Sequence, residues 1–206
     1  MSGKRMKQTL GLLGVMQLAA LAQTDARRPV DRPKPAGGLV QKFQTPLFVP
    51  SSVEELIRHA PFIFDVSVTT VKPTRLTRAS DVGSAETDAT LKITSVLKGP
   101  DFLVGATILL SQAGGQYENV RVIPQDDEPV AKGERYILFL LPDGRPNLPD
   151  YGGLRRFCID GIWHGKVAVI SGKVVGHQHT VPALHAYDGK DVDTFSKYIR
   201  EVARGQ

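Results

Sequence analysis

Apolar and polar residues alternate along several short segments in the middle of the chain, which predicts β-strands with one buried face. The clearest segment is 62–69, where every second residue is apolar and Asp65, Ser67 and Thr69 lie between them. Similar segments, separated by turn residues, predict strands at 89–97, 107–111, 117–123, 154–159, 167–170 and 173–175. Segment 136–141 is apolar throughout, which predicts a central strand covered on both faces.

Helical patterns flank the strands. Ser52 and Glu55 form a capping box at the start of a short helix, and Pro61 predicts its end. Asp191 is the predicted N-cap of an amphipathic C-terminal helix. The apolar face of that helix contains Val192, Phe195, Ile199 and Val202. About seven short strands with a helix at each end predict a mostly β domain over residues 51–206, built as a small closed or partly closed barrel.

The first 22 residues have the pattern of a secretory signal peptide. Lys4, Arg5 and Lys7 precede an apolar run over 9–22, which ends in the cleavage motif Ala20-Leu21-Ala22. A membrane-spanning helix needs about 20 apolar residues, so no transmembrane anchor is expected after cleavage. We therefore expect a secreted or periplasmic protein, and a retained anchor or a buried core helix is the alternative.

Residues 23–50 are predicted to form a tether rich in proline and arginine. Proline and charge together oppose a packed element. The end of the tether contains apolar residues that are able to lie against the domain as an extended strap. These are Phe43, Leu47, Phe48 and Val49.

Charge and cysteine content narrow the range of partners. The whole chain carries a net charge of +5. Three of its 26 basic residues and none of its 21 acidic residues lie in the predicted signal peptide, which leaves a net charge of +2 after cleavage. This small charge and an aromatic content of 7% argue against a nucleic-acid partner. The single cysteine, Cys158, excludes an intramolecular disulfide and is expected to be a buried small side chain.

Three segments occur in an order that resembles a known barrel family. They are 60–66, 91–99 and 133–139, and their most specific parts are Val96-Leu97-Lys98-Gly99 and Gly133-Glu134-Arg135-Tyr136. Over roughly residues 52–176, this order is similar to the oligonucleotide/oligosaccharide-binding-like (OB-like) barrel of netrin-like modules and tissue inhibitors of metalloproteinases. The chain resembles a cysteine-poor bacterial secreted form of that module, which implies an OB-like barrel.

The resemblance identifies no active site, because these segments are signatures of the fold. The inhibitor members of the family chelate a catalytic zinc through an N-terminal cysteine. Here the expected N-terminus after cleavage is Gln23. Protease inhibition by that mechanism is therefore not implied.

The candidate metal ligands are His177, His179 and His185. On a strand, His177 and His179 would present both imidazoles on one face, and three histidines are able to hold zinc or copper. No carboxylate or cysteine spacing completes a recognisable site, so a polar surface strand is the competing interpretation. No cofactor is predicted.

Other candidate chemistry is weaker. The acidic run Asp126-Asp127-Glu128 lacks the spacing of an EF-hand and is interpreted as a solvated loop. No nucleophile elbow, phosphate loop or dinucleotide fingerprint occurs. The sequence favours an exported, non-catalytic module that binds an extracytoplasmic protein or glycan. A His-dependent metal-binding or hydrolytic exported protein stays open as the alternative.

Overall fold

The computed structural model describes residues 38–42, 48–124, 127–146, 148–177, 180 and 182–205. The described residues form three helices: α1 (Val53–His59), α2 (Pro182–His185) and α3 (Val192–Arg204). They also form the strands β1 (Leu39–Lys42), β2 (Phe62–Val71), β3 (Arg75–Leu76), β4 (Ala85–Lys98), β5 (Thr107–Ala113), β6 (Gly115–Tyr117), β7 (Val120–Pro124), β8 (Arg135–Pro142), β9 (Arg156–Ile159), β10 (Lys166–Ile170) and β11 (Lys173–Gly176).

Five strands close a barrel. β2 pairs with β4, β4 with β5, β5 with β9, β9 with β8, and β8 with β2. The β5–β9 pair is parallel and the other four pairs are antiparallel. This arrangement confirms the predicted mostly β fold with a small OB-like barrel and accompanying helices.

The remaining strands extend the barrel at its edges. β10 pairs with β8 and forms a hairpin with β11, while β3 pairs with the start of β4. A separate small sheet has the strand order β1-β7-β6. The segment 117–123, predicted as one strand, is interrupted at Glu118, which has a positive φ of 48° and turns the chain between β6 and β7.

Apolar side chains pack on both faces of the barrel wall. Leu138 and Leu140 of β8 lie in the barrel interior, whereas Ile137 and Phe139 contact the layer formed by α1 and α3. The all-apolar segment is therefore a central strand covered on both faces, as predicted. Strand β2 was predicted to have one exposed face, but Ile63 is fully buried because the same helices cover that face too.

The segments that carry the family resemblance bond to one another. Arg135 donates two hydrogen bonds to Asp65, with Nε–Oδ1 at 2.9 Å and Nη2–Oδ2 at 2.5 Å. Lys98 Nζ donates to the carbonyl oxygens of Ile57 and Arg58 at the end of α1, at 2.6 and 3.1 Å. These residues thus join the barrel strands to each other and to the first helix.

The helix boundaries follow local capping signals. The Ser52 hydroxyl accepts a hydrogen bond from the Glu55 backbone N–H at 3.1 Å, as a capping box requires. The Glu55 carboxylate reaches back to the N–H of Ser51 at 2.6 Å, one residue earlier than in the standard box. Asp191 caps α3 by accepting from the backbone N–H of Asp193 at 3.0 Å.

Part of the predicted tether contacts the domain. β1 lies parallel to β7, and the Phe48 ring stacks on the His59 ring with centroids 3.8 Å apart. His59 Nδ1 in turn lies 2.7 Å from Oδ2 of the buried Asp160. Val49 is exposed, while the predicted signal peptide and the strap residues Phe43 and Leu47 lie outside the described residues. Within the described segments, every helix is too short or too polar to cross a bilayer.

Candidate functional site

A cleft of about 420 Å³ opens at the end of the barrel where β4 begins and β5 ends. Its apolar lining consists of Ala113, Pro124, Pro142, Ile159 and Ile162. Its polar lining consists of Glu86, Ser111, Gln112, Asp127, Asp143 and Arg145, with Gly144 and Cys158 between the two groups. A mixture of apolar walls and a few fixed polar groups is typical of a binding site.

Arg145 bridges two carboxylates across one wall of the cleft. Its Nε and Nη2 lie 2.9 and 2.7 Å from the two oxygens of Asp143, and its Nη1 lies 2.5 Å from Oε1 of Glu86. Burial alone raises the pKa of Asp143, but the hydrogen bonds from Arg145 outweigh it and hold that pKa below its ordinary value. The pair therefore stays ionised as the pH falls to that lowered pKa and is lost only below it.

A second charged network lies behind this wall. Asp88 Oδ1 accepts hydrogen bonds from the Ser111 hydroxyl at 2.6 Å and from Arg156 Nη1 at 2.8 Å. Arg75 Nη2 lies 3.3 Å from Asp88 Oδ2, and its Nη1 lies 3.1 Å from Glu86. Glu86 thus connects the buried network to the exposed Arg145, so the polar wall is fixed from both sides.

The acidic loop contributes to the cleft in a way that its sequence did not indicate. Asp127 is buried and forms an ion pair with Lys166 of β10, whose Nζ also donates to the Glu128 carbonyl oxygen at 2.6 Å. The interpretation as a solvated loop is therefore wrong for Asp127. The cause is the pairing of β10 with β8, which brings the buried Lys166 ammonium group beside this loop. Asp126 lies outside the described residues.

The backbone beside the cleft is strained at one residue. Gly161 and Ile162 have consecutive positive φ angles of 63° and 61°. A β-branched side chain rarely adopts this left-handed conformation, which costs of order 1–3 kcal/mol and tends to occur at functional sites. The strained Ile162 side chain lines the cleft.

The described lining of the cleft contains two side chains that are able to act as nucleophiles, Ser111 and Cys158. The Ser111 hydroxyl donates to a carboxylate and accepts from Arg156, and no histidine occurs among the described lining residues. Burial, assisted by the charge of Asp143, raises the pKa of the Cys158 thiol. A reactive cysteine needs the opposite shift. Cys158 was expected to be buried, but it is only partly buried, because it lies at the wall of the cleft.

Cys158 should be alkylated by iodoacetamide more slowly in the folded protein than after unfolding in urea. Because the thiolate is the reactive form, the rate in the folded protein should still be rising at a pH where the unfolded protein has reached its plateau. The measurement is the mass-spectrometric rate of alkylation across a pH series. Equal profiles for folded and unfolded protein would show that the cleft leaves this thiol unperturbed.

The structure gives the candidate histidines different partners. His177 lies just after β11, not on a strand, and its ring centroid is 6.4 Å from that of Trp163. His185 Nδ1 lies 2.8 Å from Asp188 Oδ2, and His179 lies outside the described residues. Across the described part of the chain, no three or more His, Cys, Asp or Glu residues are arranged to hold a metal ion.

A fourth histidine, His164, lies next to Trp163 in the chain. His164 is buried, and burial together with the nearby His177 lowers its pKa. Its ring lies 5.5 Å from Trp163. The neutral imidazole therefore acts as a packed side chain near neutral pH.

Sequence reasoning missed the cleft because its members are far apart in the chain. Glu86 and Arg145 are separated by 59 positions, and no local motif relates them. Asp143-Gly144 is a common turn sequence, and such a sequence indicates only a change of chain direction. The apolar lining comes from strand ends, which carry no separate signal. No protein-family model matches the chain, and none of the curated proteins matches it in sequence.

Proposed function

We propose that this chain is an exported, non-catalytic binding module, and that the cleft at the open end of the β4–β5 hairpin contacts an extracytoplasmic protein. The cleft carries the proposal because it combines apolar walls with a guanidinium group already fixed between two carboxylates. The barrel interior is filled by buried apolar side chains and leaves binding to the surface. Groups that are already positioned lose little conformational entropy when a partner binds.

The chemistry of the cleft favours binding over catalysis. The usual catalytic serine is paired with a histidine base, whereas Ser111 bonds to the ion pair of Asp88 and Arg156 and no histidine occurs among the described lining residues. Cys158 has a raised pKa and is a weak nucleophile near neutral pH. Arg135 bonds to Asp65 across the barrel wall and Lys98 bonds to the end of α1, so these two residues have structural roles. Such roles fit the relation to netrin-like modules that is part of this proposal.

A charge placed in the cleft should abolish partner capture. Gly144 lines the cleft, its backbone has an ordinary φ, and a Cβ added there meets no atom within 4 Å. Gly144→Glu should therefore fold normally while filling the cleft and adding a negative charge. Immobilised wild-type protein should retain a specific protein from envelope or culture fractions, and Gly144→Glu should lose most of it.

The matched control is Gly38→Glu. Gly38 also has an ordinary φ and open space at its Cβ position, but it lies at the far end of β1 from the cleft. This variant should retain the partner as wild type does. If Gly144→Glu captures the same protein equally well, the binding surface lies elsewhere and the proposal for the cleft fails.

Export should be visible at the N-terminus of the protein. The basic residues, apolar run and Ala20-Leu21-Ala22 motif support cleavage after Ala22. N-terminal sequencing of protein recovered from the medium or periplasm should begin at Gln23. A cytosolic pool that retains Met1 as the main species would contradict the proposed localisation.

A further inference from the structure

An amine and a carboxyl group are buried in contact with each other behind the cleft. Lys166 lies on β10, and Asp127 lies in the loop between β7 and β8. Their side chains are only 7% and 6% exposed. Lysine and aspartate are rarely buried so completely, because each charge loses its hydration. An amine in contact with a carboxyl group also supplies the two groups from which an amide forms.

The contact between the two groups is not a hydrogen bond. Lys166 Nζ contacts Oδ1 of Asp127, yet among the described residues this oxygen accepts no hydrogen bond. Nζ donates instead to the Glu128 carbonyl oxygen at 2.6 Å. A hydrogen bond needs the donor to point at the acceptor oxygen, and this contact lacks that alignment. The nitrogen therefore lies against the carboxyl group without hydrogen bonding to it.

Both groups are held in place by the backbone. The Asp127 N–H donates to the Pro124 carbonyl oxygen at 2.7 Å, which fixes the start of the loop. Lys166 pairs with Leu138 of the central strand β8. Two reacting groups that are fixed in contact reach effective concentrations of about 10⁵–10⁸ M, so even a slow condensation becomes favourable.

We propose that Lys166 Nζ and Asp127 Cγ join in an amide, so that the folded chain carries an internal isopeptide cross-link. One proton first passes from the ammonium group to the carboxylate, which gives an amine and a carboxylic acid. The nitrogen lone pair then attacks Cγ, and the bond from Cγ to the hydroxyl oxygen breaks. The hydroxyl group leaves with a proton from the nitrogen as one molecule of water, so neither an oxidant nor a co-reactant is needed.

The surroundings suit the product as well as the reactants. Condensation removes both charges and with them the cost of keeping two ions out of water. Nζ retains one N–H in the amide, and the Glu128 carbonyl oxygen is already placed to accept its hydrogen bond. Asp127 lines the cleft, so the released water has a path to solvent.

The cross-link gives this chain a covalent closure that its single cysteine does not allow. It closes a loop of the chain that contains β8 and β9, two of the five barrel strands. A covalent link of this kind stabilises a fold mainly by restricting the unfolded chain. The cross-link does not depend on partner binding, because it forms within one chain.

Intact mass of the denatured wild-type protein tests the proposal. The mass should be lower by one water than the sequence of the recovered chain predicts. Lys166→Met and Asp127→Ala each remove one reacting group, and both variants should have their full sequence mass. The matched control is Lys197→Met, which removes the lysine of the exposed pair with Glu201 and should still lose one water.

Tryptic digestion locates the bond and does not depend on whether the variants fold. Trypsin cleaves after free lysine and arginine, so an amide at Lys166 blocks cleavage there. The wild-type digest should contain a branched product of residues 122–132 and 157–173. Its fragment masses should place the branch on Asp127 and not on the adjacent Asp126.

Three results would overturn the proposal. The first is a wild-type chain with its full sequence mass and normal cleavage after Lys166, which would show that the pair is ionic only. The second is a loss of water that persists in Lys166→Met or Asp127→Ala, because it would come from another reaction, such as succinimide formation at an Asp-Gly sequence. The third is a branch at any residue other than Asp127. Each leaves the expected effect of Gly144→Glu on partner capture unchanged, so the proposed function is tested separately.

Discussion

Replacing Asp88 with alanine should lower the free energy of unfolding by about 3–5 kcal/mol, the range measured when one partner of a buried ion pair is removed. The Asp88 side chain is 1% exposed and accepts from Ser111 and Arg156 at 2.6 and 2.8 Å. The Arg156 side chain is only 9% exposed, and the substitution removes the carboxylate that pairs with its positive charge. Urea unfolding followed by circular dichroism measures the change.

The control for this substitution is Glu201→Ala. Glu201 pairs with Lys197 on the exposed face of α3 at 3.8 Å. Exposed ion pairs of this kind contribute about 0.3–0.5 kcal/mol.

Adding Arg156→Met to Asp88→Ala should restore part of the lost free energy of unfolding, because it removes the arginine charge that Asp88→Ala leaves unpaired. A loss for Asp88→Ala no larger than that of the control would mean that solvent reaches the network.

Elements with strong local signals could be predicted from the sequence. Ser52 and Asp191 mark the starts of α1 and α3 because a capping side chain bonds within its own turn. The all-apolar segment 136–141 indicated a strand covered on both faces, and its residues divide between the two cores. In each case the structure depends on residues only a few positions apart, so the local sequence is enough to predict it.

Features that depend on distant packing could not be predicted. The burial of Ile63 requires α1 and α3 to cover the outer face of β2, and nothing within β2 indicates this. β1 pairs with β7, about eighty positions later, from within a tether whose composition opposes regular structure. The candidate site could not be predicted for the same reason. Glu86, Asp127 and Arg145 line one cleft only when the barrel has closed.

The histidines show why residue type alone is a poor guide to a site. The spacing of His177 and His179 suggested a shared face of a strand, with His185 close by in sequence, but β11 ends at Gly176. The Gly176 N–H donates to the Asp188 side chain at 2.7 Å, and the Thr180 N–H donates to the His177 carbonyl oxygen at 2.9 Å. The chain therefore turns where a continued strand was required.

Leu138→Ala should destabilise the protein by about 2–5 kcal/mol, the usual cost of truncating a buried leucine. Leu138 is fully buried in the barrel interior, and its β-sheet partners are Phe64 of β2 and Lys166 of β10. The surrounding strands belong to a closed barrel, so they are unable to collapse freely into the space that the lost side chain leaves. The measurement is the denaturant midpoint together with its m-value.

Two further substitutions show whether the cost arises from the cavity. Leu138→Met nearly preserves the side-chain volume and should cost less than about 1.5 kcal/mol. Val175→Ala truncates a partly exposed residue on β11 and should change stability by no more than about 0.5 kcal/mol. An unchanged midpoint for Leu138→Ala, within the error set by Val175→Ala, would mean that β8 does not form the centre of the barrel. A large loss for Leu138→Ala with a small loss for Leu138→Met would locate the stabilisation in the filled interior, which leaves the surface cleft free to bind a partner.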